Sequence, residues 1–188
     1  GMKGDIFRDV LQAFSTINGY TIQPTLQHAY DFGVPQNRQR IYIVGFLKEN
    51  NFQYPKPTDI PTQVGDILEP GRVANKYTIS DKLWASHKAR KKRNKANGKG
   101  FGYSSKKRTD EYTSTLSARY YKDGAEALIE KTNSSNPRKL TPHEARRLQG
   151  FPDWFKINKS DNEAYKQFGN AVTVPVIRFL AKKISIFL

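Results

Sequence analysis

Gln36, Arg38 and Arg40 alternate along the polar run D-F-G-V-P-Q-N-R-Q-R that leads into the apolar segment 41–47. In an extended chain, alternate residues share a face. An amide and two guanidinium groups would then point one way, a donor-rich set suited to a carbonyl, a phosphate or a base edge. A polar strand entry that binds nothing fits the same spacing. A second cationic set lies in R-K-L-T-P-H-E-A-R-R-L, where Arg146 and Arg147 follow a helix start and form either a solvated face or a phosphate contact. Asn170, within Q-F-G-N-A-V, caps a helix, binds a ligand or turns the chain. Arg119 sits near the tip of a candidate hairpin, where a guanidinium could pair with a guanine edge or stay a surface arginine.

The composition narrows the chemistry. The chain of 188 residues has no cysteine, which excludes disulfides, zinc-thiolate sites and thiolate nucleophiles from its own side chains, and no metal site is expected. Basic side chains number 32 against 17 acidic ones, a formal net charge of +15, which points to a polyanionic partner, nucleic acid before membrane. Between Lys82 and Arg108 there are eleven Lys or Arg and no acid. Such a block repels itself unless solvated or laid against phosphates. Neither a run of about 18 apolar residues nor a signal-peptide pattern is seen, so a soluble cytoplasmic protein is expected.

Several elements must position these groups. Ile6, Phe7, Val10, Leu11, Phe14 and Ile17 predict an amphipathic helix stopped by Asn18-Gly19. Residues 20–30 alternate as a strand that Pro24 confines to an edge, and 41–47 reads as a strand buried on both faces. Residues 50–70, with four prolines, read as a connector. Gly98 to Tyr103 interleaves glycine with aromatics and reads as a DNA-facing loop. Residues 115–121 predict a strand, turned at Lys122-Asp123-Gly124 to pair with 127–129. Thr141 as N-cap, Pro142 at N1 and Glu144 at N3 predict a helix start with a capping box. Phe151 to Phe155 forms an aromatic corner, and Pro175 opens a last helix with an apolar stripe.

Three stretches taken together carry a resemblance. G-V-P-Q-N-R-Q-R-I-Y-I-V-G-F, R-K-L-T-P-H-E-A-R-R-L-Q-G-F-P-D and A-Y-K-Q-F-G-N-A-V resemble the last three conserved motifs of the DNA cytosine-5 methyltransferases, in order and with a variable region between the first two. Three long patterns in sequence are more specific than a lone short one. The resemblance implies an α/β fold: the C-terminal portion of a Rossmann-like S-adenosylmethionine-dependent methyltransferase domain, with a small, mainly β target recognition domain inserted. Residues 1–55 would be the tail of the catalytic domain, 56–140 the recognition domain, and 141–188 a hinge helix and a C-terminal helix returning to the catalytic domain.

In that family the target cytosine is flipped out of duplex DNA, a cysteine attacks C6, a glutamate engages N3, and C5 takes the methyl group. By resemblance Arg40 contacts the flipped cytosine, while Arg38 and Gln36 support its loop or touch the DNA backbone. Asn170, with Ala171 and Val172, borders the S-adenosylmethionine pocket. Lys99, Arg119, Tyr120, Lys122, Arg146 and Arg147 are expected on the DNA. The family's glycine-rich cofactor motif, Pro-Cys loop and Glu-Asn-Val motif are absent. Ala171 replaces a frequent serine, and His143 stands where arginine is usual. The expectation is a bacterial C-terminal fragment that binds duplex DNA, binds the cofactor weakly at most and is inactive alone. The alternatives are one subunit of a split methyltransferase completed by a separately encoded N-terminal half, a non-catalytic DNA-binding module, or an RNA cytosine methyltransferase of the same fold.

Overall fold

The computed structural model of the chain describes residues 4–17, 19–131 and 136–188. The first apolar stripe forms α1, Asp5–Ser15, none of whose side chains is buried. Asn18 lies outside the described residues, and Gly19 turns the chain at φ 81°. Then come β1 (Thr21–His28), a single helical turn at Tyr30–Phe32, β2 (Gln36–Asn37) and β3 (Gln39–Phe46). β1 and β3 pair antiparallel from Thr21 opposite Phe46 to His28 opposite Gln39. Each strand of this ribbon pairs with one neighbour, which is what admits Pro24. The segment 41–47, expected to be buried on both faces, is buried only at Val44, because a two-stranded ribbon covers one face. Val44 packs with Phe52 and Leu180.

Residues 47–63 hold no regular element, yet they are packed rather than a loose connector. Phe52 is buried, and the Tyr54 hydroxyl accepts from the Val44 N–H and donates to the Gln23 carbonyl. The basic block contains a helix that its charge pattern obscures, α2 (Asp81–Ala96), with Ser80 Oγ accepting from the Leu83 N–H as N-cap. Lys, Arg and Ala are good helix formers, so the segment coils despite having almost no apolar stripe.

Next are β4 (Ser105–Lys106), β5 (Thr113–Ser114), α3 (Tyr120–Asp123), β6 (Leu128–Ile129) and β7 (Arg138–Lys139). The expected hairpin of 115–121 with 127–129 does not form. Tyr120–Asp123 coil into one helical turn closed by Gly124 at φ 65°, which carries Tyr120 into the core. β6 pairs instead with β4, parallel, and with β7, antiparallel, while β5 pairs parallel with β2. The mixed α/β class holds, but residues 56–140 are not mainly β: their strands are two residues each and α2 is sixteen.

The capping signals at Thr141 produce α4 (Pro142–Leu148), with both halves of the box made. α5 (Asp161–Asn170) absorbs most of the stretch read as a turn before the last helix. Its start was written in Ser160-Asp161-Asn162-Glu163, with Ser160 Oγ accepting from the Glu163 N–H. α6 (Val174–Ile184) follows with Pro175 in its first turn. The main core gathers Val64, Leu116, Tyr120, Ile129, Leu140, Leu148, Tyr165 and Phe168, so α3, α4 and α5 close on one another. Among the described residues, no helix is long and apolar enough to cross a membrane.

Candidate functional site

Gln36 and Arg38 are turned inward and hold both backbone groups of one residue, Leu116, between them. The Leu116 N–H donates to Gln36 Oε1 at 3.0 Å, and Arg38 Nη1 donates to the Leu116 carbonyl at 2.9 Å. Gln36 Nε2 then reaches the Leu148 carbonyl at 3.1 Å, and Arg38 Nη2 reaches the carbonyls of Gly169 (3.1 Å) and Ala171 (2.8 Å). One amide and one guanidinium thereby join the β2 segment to the Leu116 loop, to the end of α4 and to the end of α5. Burial, and after it the Arg40 charge, brings the Arg38 guanidinium down to about 10, still cationic at neutral pH. Arg40 is exposed, its Nη1 on the neighbouring Gln39 carbonyl. The three residues therefore do not share a face, because the strand breaks at Arg38 between β2 and β3.

α5 ends against the same loop. A Cβ on Gly169 would fall on the Ser117 carbonyl and the Ala118 N–H, so only glycine permits this approach. Beyond it, Asn170 and Val172 are exposed. The Ala171 N–H is committed to the Gln167 carbonyl, and its own carbonyl to Arg38.

Two residues expected on the DNA are internal. Tyr120 is fully buried, its hydroxyl donating to the Ala127 carbonyl and accepting from the Leu140 N–H, both at 2.7 Å. The helical turn that replaces the hairpin rotates it inward. Arg146 is also buried, ion-paired with Asp153 and donating to the Asp153 carbonyl. The aromatic corner folds back under α4 and supplies both acceptors. Arg147 is partly exposed, with Nη1 on the Ile67 carbonyl. Sequence spacing alone missed the buried pair Arg138–Glu144, in which the capping-box carboxylate also accepts both guanidinium Nη groups.

Lys99, Arg119 and Lys122 are exposed, as are most cations of α2. The loop carrying Lys99 is held by Arg90, whose Nε donates to the Gly102 carbonyl at 3.0 Å. Gly102 packs against Lys91 with no room for a Cβ. Arg119 and Lys122 lie on a cleft of about 310 Å³ shared with Arg90 and Phe101. A second, larger cleft of about 1020 Å³ is bordered by Arg72, Lys107, Arg108 and Lys131. Neither cleft border was legible from spacing, since each joins segments distant in sequence. The result is a rigid, internally bonded frame with cationic side chains on α2, the 98–103 loop and the α3 turn.

Residues 2–186 match the family model described as C-5 cytosine-specific DNA methylase. The chain belongs to that family. The chain is 54% identical over 186 residues to the type II methyltransferase M1.ScrFI of Lactococcus lactis subsp. cremoris, a match covering 96% of the chain and 47% of that relative. It is 55% identical over 187 residues to the type II methyltransferase M.SsoII of Shigella sonnei, covering 97% of the chain and 48% of the relative. The chain thus spans about half the length of these curated relatives.

Among solved structures, the Entamoeba histolytica methyltransferase EhMeth superposes with a TM-score of 0.79 at 19% identity, over 98% of this chain and 59% of that one. The Dnmt2 methyltransferase of S. pombe superposes with a TM-score of 0.75 at 16% identity, over 99% of this chain and 64% of that one. At such identities the likeness is one of fold, a mixed α/β methyltransferase architecture.

Proposed function

We propose that this chain is the target-recognising part of a DNA cytosine-5 methyltransferase, which transfers methyl from S-adenosylmethionine to C5 of a flipped cytosine in duplex DNA. The observation that carries the reading is the clamp of Gln36 and Arg38 on Leu116. It ties the Q-N-R-Q-R segment to the loop that leads into α3 and to the end of α5, and it leaves Arg40 exposed on the strand that follows. Arg40 is proposed for the target cytosine, with Arg38 and Gln36 as positioning residues. Lys99, Arg119, Lys122 and Arg147 are proposed for the DNA.

Asn170 and Val172 offer an exposed amide and an apolar side chain, the mixture a nucleoside cofactor requires, so they fit one edge of a pocket. S-adenosylmethionine, when bound, supplies the methyl group. The chain's own contribution at that edge is rigidity, because the Ala171 backbone is held by Gln167 and Arg38.

Attack at C6 needs a thiolate, and the chain has no cysteine. The pure chain with S-adenosylmethionine and duplex DNA should therefore transfer no methyl above blank, while binding duplex DNA with an affinity that falls steeply with salt. Addition of a separately produced segment bearing the family's Pro-Cys loop should restore transfer. α1 supports this, because its apolar side chains Ile6, Val10 and Phe14 are exposed and available to pack on such a segment. Methyl transfer by the pure chain would overturn the mechanism. Salt-dependent DNA binding without rescue would leave a non-catalytic module, and preference for tRNA over duplex DNA in competition would favour the RNA enzyme.

A further inference from the structure

The cleft of about 310 Å³ beside α3 holds more charge than its frame consumes. Asp123 is committed: its Oδ2 accepts from Arg90 Nη1 at 3.0 Å and its Oδ1 from the Ala125 N–H at 3.2 Å. Arg90 is committed too, with its remaining nitrogens on the Gly102 carbonyl and on Nδ1 of the buried His87. That pair is the cleft's internal support, and besides the exposed Lys122 ammonium two groups are left over.

The first is the exposed guanidinium of Arg119, free of any hydrogen bond or ion pair among the described residues. The second is Glu126. Its Oε1 accepts from Ser117 Oγ at 2.5 Å, whereas its Oε2 is shielded from solvent and has no partner among the described residues. A shielded carboxylate oxygen without a donor is costly, and such an atom calls for a specific explanation. Ser117 bridges the two residues, because its Oγ also accepts from the Arg119 backbone N–H at 3.2 Å, and both side chains line the one cleft. Gly124, at φ 65°, reverses the chain between them. Phe101, exposed at the lip, adds an apolar face.

A fork of donors beside a lone acceptor has a specific complement. Guanine offers O6 and N7 to a guanidinium, and its cytosine partner offers the N4 amino group to a carboxylate. These groups lie in a row on the major-groove edge of one C·G pair. An A·T pair puts the adenine amino group where guanine has O6 and thymine O4 where cytosine has its amino group, so the guanidinium loses an acceptor and the carboxylate loses its donor.

We propose that Arg119 and Glu126 form a specificity-determining pair that reads one C·G base pair from the major groove, Arg119 donating to guanine and Glu126 accepting from the cytosine amino group. The proposal rests on the DNA reading above. Glu126 lines the same cleft as Arg119, so a base edge entering it meets the carboxylate whose Oε2 has no donor among the described residues. Neither residue touches the methylated ring. Their contribution is the choice of sequence.

The test uses the whole chain and a pool of duplex DNAs with a randomised central stretch, sequencing the bound fraction at fixed salt. The wild type should enrich C·G at one position about tenfold or more, the discrimination of one good polar base contact. Glu126→Gln, which keeps the Ser117 bond but replaces Oε2 by a donor, should lose the cytosine selection there. Arg119→Ala should lose the guanine selection. Lys99→Ala should weaken binding to all sequences alike and keep the preference. Variants of Glu126 and Arg119 that enrich the same pair as the wild type would overturn the proposal. So would a wild type that binds duplexes without preference, although DNA binding itself would then stand. A wild type that binds no duplex even at low salt would overturn the functional reading and this pair with it.

Discussion

Glu144→Ala removes the carboxylate on which the start of α4 is built. Its Oε2 accepts from the Thr141 N–H at 2.9 Å and from Arg138 Nη1 at 2.6 Å, and its Oε1 from Arg138 Nη2 at 2.8 Å and from the Glu69 N–H at 2.9 Å. The two side chains are 0% and 9% exposed, so water cannot replace the lost partner. Truncation leaves a buried guanidinium with one remaining bond, to the Lys139 carbonyl, and two backbone N–H groups without acceptors. Breaking a buried ion pair from one side costs about 3–5 kcal/mol. The capping contribution of about 1 kcal/mol lies inside that figure, because the same atoms make both sets of bonds. Against a typical total of about 5–15 kcal/mol, the loss is about a fifth of the stability or more. In urea unfolding of the whole chain, with a slope near 2 kcal/mol/M, the midpoint should fall by about 2 M. Arg138→Met combined with Glu144→Leu removes both charges together and should recover most of the loss, since neither ion is then left unpaired. A loss below about 1 kcal/mol for Glu144→Ala, or a double variant as unstable as the sum of the singles, would refute the reasoning.

Gly169→Ala should lower stability by about 1–3 kcal/mol in a thermal melt, because its Cβ meets the Ser117 and Ala118 backbone, which cannot rotate away. An unchanged midpoint would contradict the close packing of α5 on that loop. Burial acts to raise the Asp123 pKa, but the Ala125 N–H and Arg90 outweigh it and hold the carboxyl below its ordinary value. A depressed folded pKa contributes stability that is present above the unfolded value of about 3.9 and lost as pH falls through the folded value. The stability gap between wild type and Asp123→Asn, measured by denaturation at several pH values, should therefore be present near neutrality and shrink below about pH 4. A gap that stays constant into acid would count against the Arg90–Asp123 link.

Elements whose signals are local were legible in the sequence. Thr141, Pro142 and Glu144 announced α4, and the alternation from Tyr20 announced β1, because caps and strand periodicity act over a few residues. α2 was hidden since a run of Lys and Arg carries no apolar stripe, and the signal that could have found it is the Ser80-Asp81 cap. The hairpin failed for the opposite reason. T-L-S-A-R-Y-Y has strand-like composition, but Tyr120 finds two backbone partners in the core, and that tertiary gain overrides local propensity. Among the candidate site residues, spacing picked out Gln36, Arg38 and Arg40 as a set. It could not say that the first two turn inward, since their partners Leu116, Leu148 and Ala171 are contacts of long range. Arg146 looked like a solvated cation or a phosphate ligand until the fold brought Asp153 beneath it.

The peptide at Leu140, between β7 and α4, has both backbone groups taken by phenols. Its N–H donates to the Tyr120 hydroxyl, and its carbonyl accepts from the Tyr165 hydroxyl at 2.5 Å. Tyr120 belongs to α3 and Tyr165 to α5, and their rings meet edge to face with centroids 5.1 Å apart, so two packed helices grip the same residue. The α3 turn proposed for base contact and the α5 helix that leads to Asn170 are thus joined through two hydroxyl bonds to one residue and a direct ring contact. A phenylalanine at either place would cut that linkage on one side and leave it intact on the other. The two tyrosines are therefore separate places at which the link between the proposed base-contacting turn and the proposed cofactor edge can be loosened.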